Sequence, residues 1–148
     1  MYKNVSELFG QFTYDEALSY EELLAAEQAL ISDLENLMLR AGAEHPDFTP
    51  MGDMLLCQCA FGTHKLYVYR KFAHEIAGIL PPGVTGRLLC LEKNFRSLHV
   101  YWIQPGQWEE EERPVPPAPP PGLKIKRVNR NGRQASPYAM EFTSAADK

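Results

Sequence analysis

The sequence predicts an α+β fold, an antiparallel sheet of about three to five strands with a long N-terminal helix and a second helix packed on one face. Three observations point there. One helical stripe of apolar residues runs over 20–41, and a second runs over 65–80. Three runs rich in β-forming residues lie at 53–61, 86–92 and 97–104. The 148 residues are 45% hydrophobic and 23% charged, which suits one ordinary domain and excludes a wholly disordered or collagen-like chain.

Residues 5–12 (VSELFGQF) read as a short helix or turn docked by Leu8, Phe9 and Phe12, with Gly10 weakening the helix. The long helix begins at a capping box, in which Ser19 can accept from a first-turn amide while Glu22 reaches back. Leu23, Ala26, Leu30, Leu34, Leu37 and Ala41 then recur at helical spacing, with Ile31 and Met38 widening the stripe. Glu22, Glu27, Asp33, Glu35 and Asn36 make the opposite, polar face. Gly42 stops the helix, and Pro46 and Pro50 keep the next segment non-helical.

Residues 53–61 (DMLLCQCAF) read as a mostly buried strand broken by Gly62, with Leu55, Cys57, Cys59 and Phe61 on one face. Leu66, Tyr69, Ala73, Ile76 and Leu80 recur at helical spacing, which predicts a helix over 65–80. The competing reading makes KLYVY a strand followed by a shorter helix. Pro81-Pro82-Gly83 ends that element. Residues 86–104 read as a hairpin turning at 93–96, with Leu98, Val100 and Trp102 on one face of its second strand and His99, Tyr101 and Ile103 on the other. Both faces are largely apolar, so this strand is central, or one face is a binding surface.

The domain reading is therefore 1–108 for the α+β body, 109–122 for an acidic and then proline-rich strap, and 123–148 for a basic C-terminal hairpin or extension. Six prolines fall between residues 114 and 121, a composition that favours extended polyproline II. Asn131-Gly132 is a hairpin turn dipeptide, and Tyr138, Met140 and Phe142 alternate after it.

The net charge of −4 is unevenly spread. Residues 1–56 sum to −9, residues 57–108 to +4 and residues 109–148 to +1. Charge segregated in this way bears on solubility and partners and leaves the fold open. Three cysteines and no secretory leader point to free thiols in a reducing compartment, so a cytoplasmic location is expected. No apolar run is long enough for a spanning helix, and no membrane association is expected.

Catalytic and metal-binding signatures are sparse. Cys57, Cys59, His64 and His74 are the nearest thing to a ligand set, but C-x-C is not the usual zinc spacing and the histidines are ten positions apart. His74-Glu75 lacks the second histidine of H-E-x-x-H. His99 could act as a general base if it faced a cleft. Gly83-Val84-Thr85-Gly86 matches G-x-x-G, the loop that clamps nucleic acid in KH modules, although here it leads into a strand. Arg113-x-x-Pro116-x-x-Pro119 fits an SH3-type ligand, a pattern any proline tract produces. No cofactor, metal or catalytic residue is assigned.

The function expected is that of a non-catalytic interaction protein, an accessory, adaptor or inhibitor docking on a larger protein partner through Tyr101, Trp102 and Trp108, because aromatics dominate interface energy. One alternative is nucleic-acid binding by the basic hairpin, through Lys124, Lys126, Arg127, Arg130 and Arg133. The other is a small enzyme centred on His64, His74 or His99. The oligomeric state is left open.

Overall fold

The computed structural model describes residues 5–62 and 65–128. The chain divides into two compact units, 1–117 and 118–148. The first holds eight elements in the order β1 (Ser6–Tyr14), α1 (Tyr20–Arg40), β2 (Glu44–Pro50), β3 (Met54–Phe61), α2 (Leu66–Ile79), β4 (Val84–Glu92), β5 (Ser97–Gln104) and β6 (Gln107–Pro114).

The strands form one antiparallel sheet in the order β2-β3-β1-β4-β5-β6. The first six elements make a split βαβ arrangement. The crossover through α1 leaves an empty slot beside β1, and β3 fills it. β4 takes the other side of β1, and β5 and β6 continue as a meander. The β5–β6 turn is Pro105-Gly106, with Gly106 at φ 77°, and the Gly106 N–H donates to the Ala77 carbonyl at 2.8 Å. That bond fastens the turn to the last turns of α2.

Both helices lie on one face. Leu30, Leu34, Leu37 and Met38 of α1 and Tyr69, Phe72, Ala73 and Ile76 of α2 close on inward residues of the strands, among them Leu8, Phe12, Leu55, Leu88 and Tyr101. The capping box forms as expected: the Glu22 N–H donates to Ser19 Oγ at 3.1 Å, and the Ser19 N–H donates to Glu22 Oε1 at 3.0 Å. Residues 66–79 are helical as the periodicity predicts, and 53–61 and 86–104 supply strands β3, β4 and β5 as expected.

The sheet has six strands where three to five were expected, and the long helix is the second element of the chain. Residues 5–12, expected as a short helix or turn, belong to the central strand. Their true period is two: Ser6, Leu8, Gly10 and Phe12 point inward while Glu7, Phe9, Gln11 and Thr13 point out. Gly10 hid the pattern. It occupies a core position without a side chain, because a Cβ there would stand 2.6 Å from Cys57 Sγ. Strand β2 was missed because Pro46 and Pro50 disfavour strands. It survives as an edge strand with a register shift between Glu44 and Asp47 and with His45 at φ 56°.

The acidic run Glu109–Glu112, assigned to the strap, lies inside β6. Glutamate is a poor strand former. An edge strand tolerates it because alternate residues reach water, and here the inward Glu110 finds partners. The charged edge also resists pairing with other chains, as the prolines and bulge do at β2. Glu27, expected on the polar face of α1, is buried, with Tyr14 Oη donating to its Oε2 at 2.8 Å. Its spacing from Leu30 and Leu34 puts it on the apolar side.

In the second unit, residues 118–128 are exposed and carry no strand or helix, with the Leu123 N–H donating to the Pro120 carbonyl at 3.1 Å. The expected hairpin turn at Asn131-Gly132 and the alternation at Tyr138, Met140 and Phe142 lie outside the described residues.

Two glycines give a matched test of this packing. A Cβ at Gly86 would meet the Phe12 ring at 2.5 Å, whereas one at Gly78 in α2 meets nothing within 4 Å. Gly86→Ala is therefore expected to cost about 1–3 kcal/mol by overpacking. Gly78→Ala is expected to be neutral or stabilising by up to about 1 kcal/mol. Urea unfolding of both variants checks the pair.

Candidate functional site

The three aromatic residues proposed as contact anchors divide between the two faces of the sheet. Tyr101 faces the helices and is fully buried. Its hydroxyl donates to Glu110 Oε2 at 2.6 Å, and Arg70 of α2 donates to the same carboxylate through Nε (3.1 and 3.0 Å) and Nη2 (2.8 Å). The Arg70 guanidinium holds the Glu110 carboxyl below its usual range, with the Tyr101 hydrogen bond acting in the same direction. Trp108 is half-buried against Tyr101, with ring centroids 6.1 Å apart, and its Nε1–H donates to His74 Nδ1 at 3.2 Å. Tyr101 and Trp108 thus belong to a polar and aromatic staple that fastens β5 and β6 to α2. Trp102 points the other way and is 46% exposed on the face that neither helix covers.

The histidine-centred alternative also has a definite geometry. Cross-strand register puts His99 between Cys90 and Glu112, with His99 Nε2 3.9 Å from Glu112 Oε2. These are the residue types of a nucleophilic triad. Cys90, however, is 0% exposed, and burial pushes its thiol up, the opposite of what an attacking thiolate needs. Cys90 is therefore part of the core, while the Glu112 side chain is mostly exposed. Burial likewise pushes the Cys57 and Cys59 thiols up to about 12. Cys57 and Cys59 point into the core, and His74 is engaged by Trp108. His64 lies outside the described residues. Among the described residues, no three His, Cys, Asp or Glu side chains come together as a metal site.

The open face is where side chains meet water across several strands. One cross-strand row reads Asp47, Gln58, Phe9, Leu89, Val100, Glu111 from β2 to β6. The next reads Thr49, Leu56, Gln11, Arg87, Trp102, Glu109. Phe9, Leu56, Leu89, Val100 and Trp102 thus share the middle with Gln11, Gln58 and Arg87, and carboxylates stand at three of the four row ends, Asp47, Glu109 and Glu111. Within this face Gln11, Thr13, Thr85, Gly86, Arg87, Trp102, Ile103 and Gln104 line a hollow of about 340 Å³. It exists because the short Thr13 and Thr85, whose hydroxyls lie 3.1 Å apart, sit between much longer neighbours. Arg87 Nε donates to Gln11 Oε1 at 2.8 Å, so a neutral amide from the next strand orients the guanidinium.

Of the residues lining the hollow, Trp102 was singled out in the sequence as a contact anchor, and Thr85 and Gly86 only as part of the G-x-x-G match. Arg87 was readable as a neighbour of Trp102 had the hairpin register been extended from its turn. Gln11 and Thr13 were not readable without knowing that 6–14 is a strand. Of the basic residues proposed for nucleic acid, Lys124, Lys126 and Arg127 are exposed in the coil of the second unit, and Arg130 and Arg133 lie outside the described residues.

The chain matches no protein-family model, no curated protein and no solved structure. Among the described residues no helix is long and apolar enough to cross a membrane.

Two outcomes test the buried chemistry. Cys57, Cys59 and Cys90 are expected to react with a thiol reagent at neutral pH at least about tenfold more slowly in the native protein than in urea, because buried protonated thiols are poor nucleophiles. A timed thiol assay reads this. Glu110→Ala is expected to cost about 1–3 kcal/mol, mainly by stranding the buried Tyr101 hydroxyl. Because the native carboxyl is held low, its stabilisation is full above the ordinary value of 4.5 and is lost as pH falls through the lower folded value. The acid limb of the wild-type stability profile is therefore steeper than that of the variant, and urea midpoints measured across acid pH check it.

Proposed function

We propose that the chain is a non-catalytic interaction protein, an accessory, adaptor or inhibitor that docks on a larger protein partner through the helix-free face of its sheet. The observation that carries this reading is the exposure of Phe9 (38%), Leu56 (36%), Leu89 (37%) and Trp102 (46%) on adjacent strands of one surface. Apolar side chains gathered in this way lose hydration cost when a partner covers them. The layout supports it too. An aromatic and aliphatic centre with carboxylates at the rim has the anatomy of a protein interface, and Trp and Arg are the residue types that dominate such contacts. Tyr101 and Trp108 act in this reading by holding β5 and β6 in place, and Trp102 makes the contact. Three free, buried cysteines fit a reducing, cytoplasmic setting.

A photo-crosslinking residue tests the surface directly. It is placed in turn at Leu89, at Trp102 and at the exposed Asp33 on the outer side of α1, in cells that express the chain. The expected result is the same crosslinked partner from positions 89 and 102 and none from position 33. Crosslinks from position 33 alone, or only to a second copy of the chain, overturn the reading.

A further inference from the structure

We propose that the hollow around Arg87 and Trp102 is a recognition site for a carboxylate carried next to an aromatic ring, presented by an acidic, aromatic segment of the protein partner. The proposal rests on the docking reading for the source of that group, and on the hollow's own chemistry for its nature.

Arg87 is the charged half of the site. Its guanidinium is held through Nε by the Gln11 amide, and among the described residues no carboxylate lies within ion-pair distance of it. Arg70 and Arg113 differ, for each is bonded to a glutamate of β6. A guanidinium fixed by a neutral acceptor keeps its full charge and a fixed plane, and its two terminal amines remain to form the forked pair that a carboxylate accepts.

The second half of the site is the indole. Arg87 and Trp102 are direct cross-strand partners, and Trp102 stands in that row between Arg87 and the rim carboxylate Glu109. A ligand ring can lie on the indole while its carboxylate reaches the guanidinium one strand away. Thr13, Thr85 and Gln104 line the rest of the hollow with neutral donors and acceptors, so the site adds no competing charge at its floor. About 340 Å³ accommodates one ring with a short acidic arm and is at the small end of ligand sites. The Glu and Asp residues of the rim disfavour a polyanion such as nucleic acid, which would run across them, and leave a single anionic group at the centre as the fitting partner chemistry.

Two indoles make the test internally controlled, because Trp108 is engaged by His74 on the other face. The full chain is titrated with phenylacetate, phenylacetamide and acetate while the two indole N–H resonances are followed by NMR. The Trp102 resonance is expected to move saturably with phenylacetate, and at least about tenfold more weakly with the neutral amide or with acetate. Arg87→Gln is expected to weaken the phenylacetate response at least about tenfold, with the Trp108 resonance unmoved as proof of fold. An equal response to phenylacetamide, an undiminished response in Arg87→Gln, or no movement of Trp102 overturns the carboxylate site. That failure is separable from failure of the docking reading: crosslinks from positions 89 and 102 would stand while the titration failed, and the reverse would leave the site without the partner.

Discussion

A β-strand sends successive side chains to opposite faces, and two helices on connections of this length can cover only one of them. In β1, the central strand, that rule divides the molecule: Leu8, Gly10 and Phe12 go under α1 and α2, while Phe9, Gln11 and Thr13 go to water. Because β1 pairs with both β3 and β4, its phase is imposed on them, and β5 and β6 inherit it through the meander. A one-residue slip of β4 against β1 would bury Arg87 and expose Leu88. The close approach at Gly10 and Gly86 pins the phase further, since the Cys57 sulfur and the Phe12 ring occupy the space a side chain would need.

The far side of the sheet is held by a different force. Strand β6 carries four consecutive glutamates and has little apolar surface to contribute. It stays because Glu110 points inward to Tyr101 and Arg70, and because Trp108 packs on Tyr101 and bonds His74. The Gly106 amide on the Ala77 carbonyl anchors the turn above them. The two aromatics expected to meet a partner are thereby used up in keeping the edge strand in register, and the outward Trp102 between them is kept in a fixed place. The position of Trp102 on the open face thus depends on contacts made on the closed one.

Much of this was legible in the residues. The stripe of α1, its capping box, the second helix and the alternation in β5 all follow from local spacing, and local spacing is what a sequence states directly. The misread segments are those whose reason is tertiary. Gly10 looks like a helix breaker until Cys57 is seen beside it. Pro46 and Pro50 look like loop residues until β2 is known to be an edge. The Glu run looks like a solvated strap until Arg70 arrives from 40 residues away and the β5–β6 hairpin brings Tyr101 opposite Glu110. The candidate site shares that limit. Trp102 was visible as an exposed aromatic in one of two phases, whereas the Gln11–Arg87 bond joins strands 76 residues apart and needs the topology first.

In β4 and β5 the outward Leu89 and Trp102 meet water while the adjacent inward Leu88 and Tyr101 are buried. Hydroxyl-radical footprinting with residue-level mass spectrometry measures this in the intact protein. The prediction is strong modification of Leu89 and Trp102, with protection of Leu88 and Tyr101 until the protein is unfolded in urea. Equal modification of each neighbouring pair, or protection of Trp102 and Leu89 as complete as that of Tyr101 and Leu88, would contradict an open face.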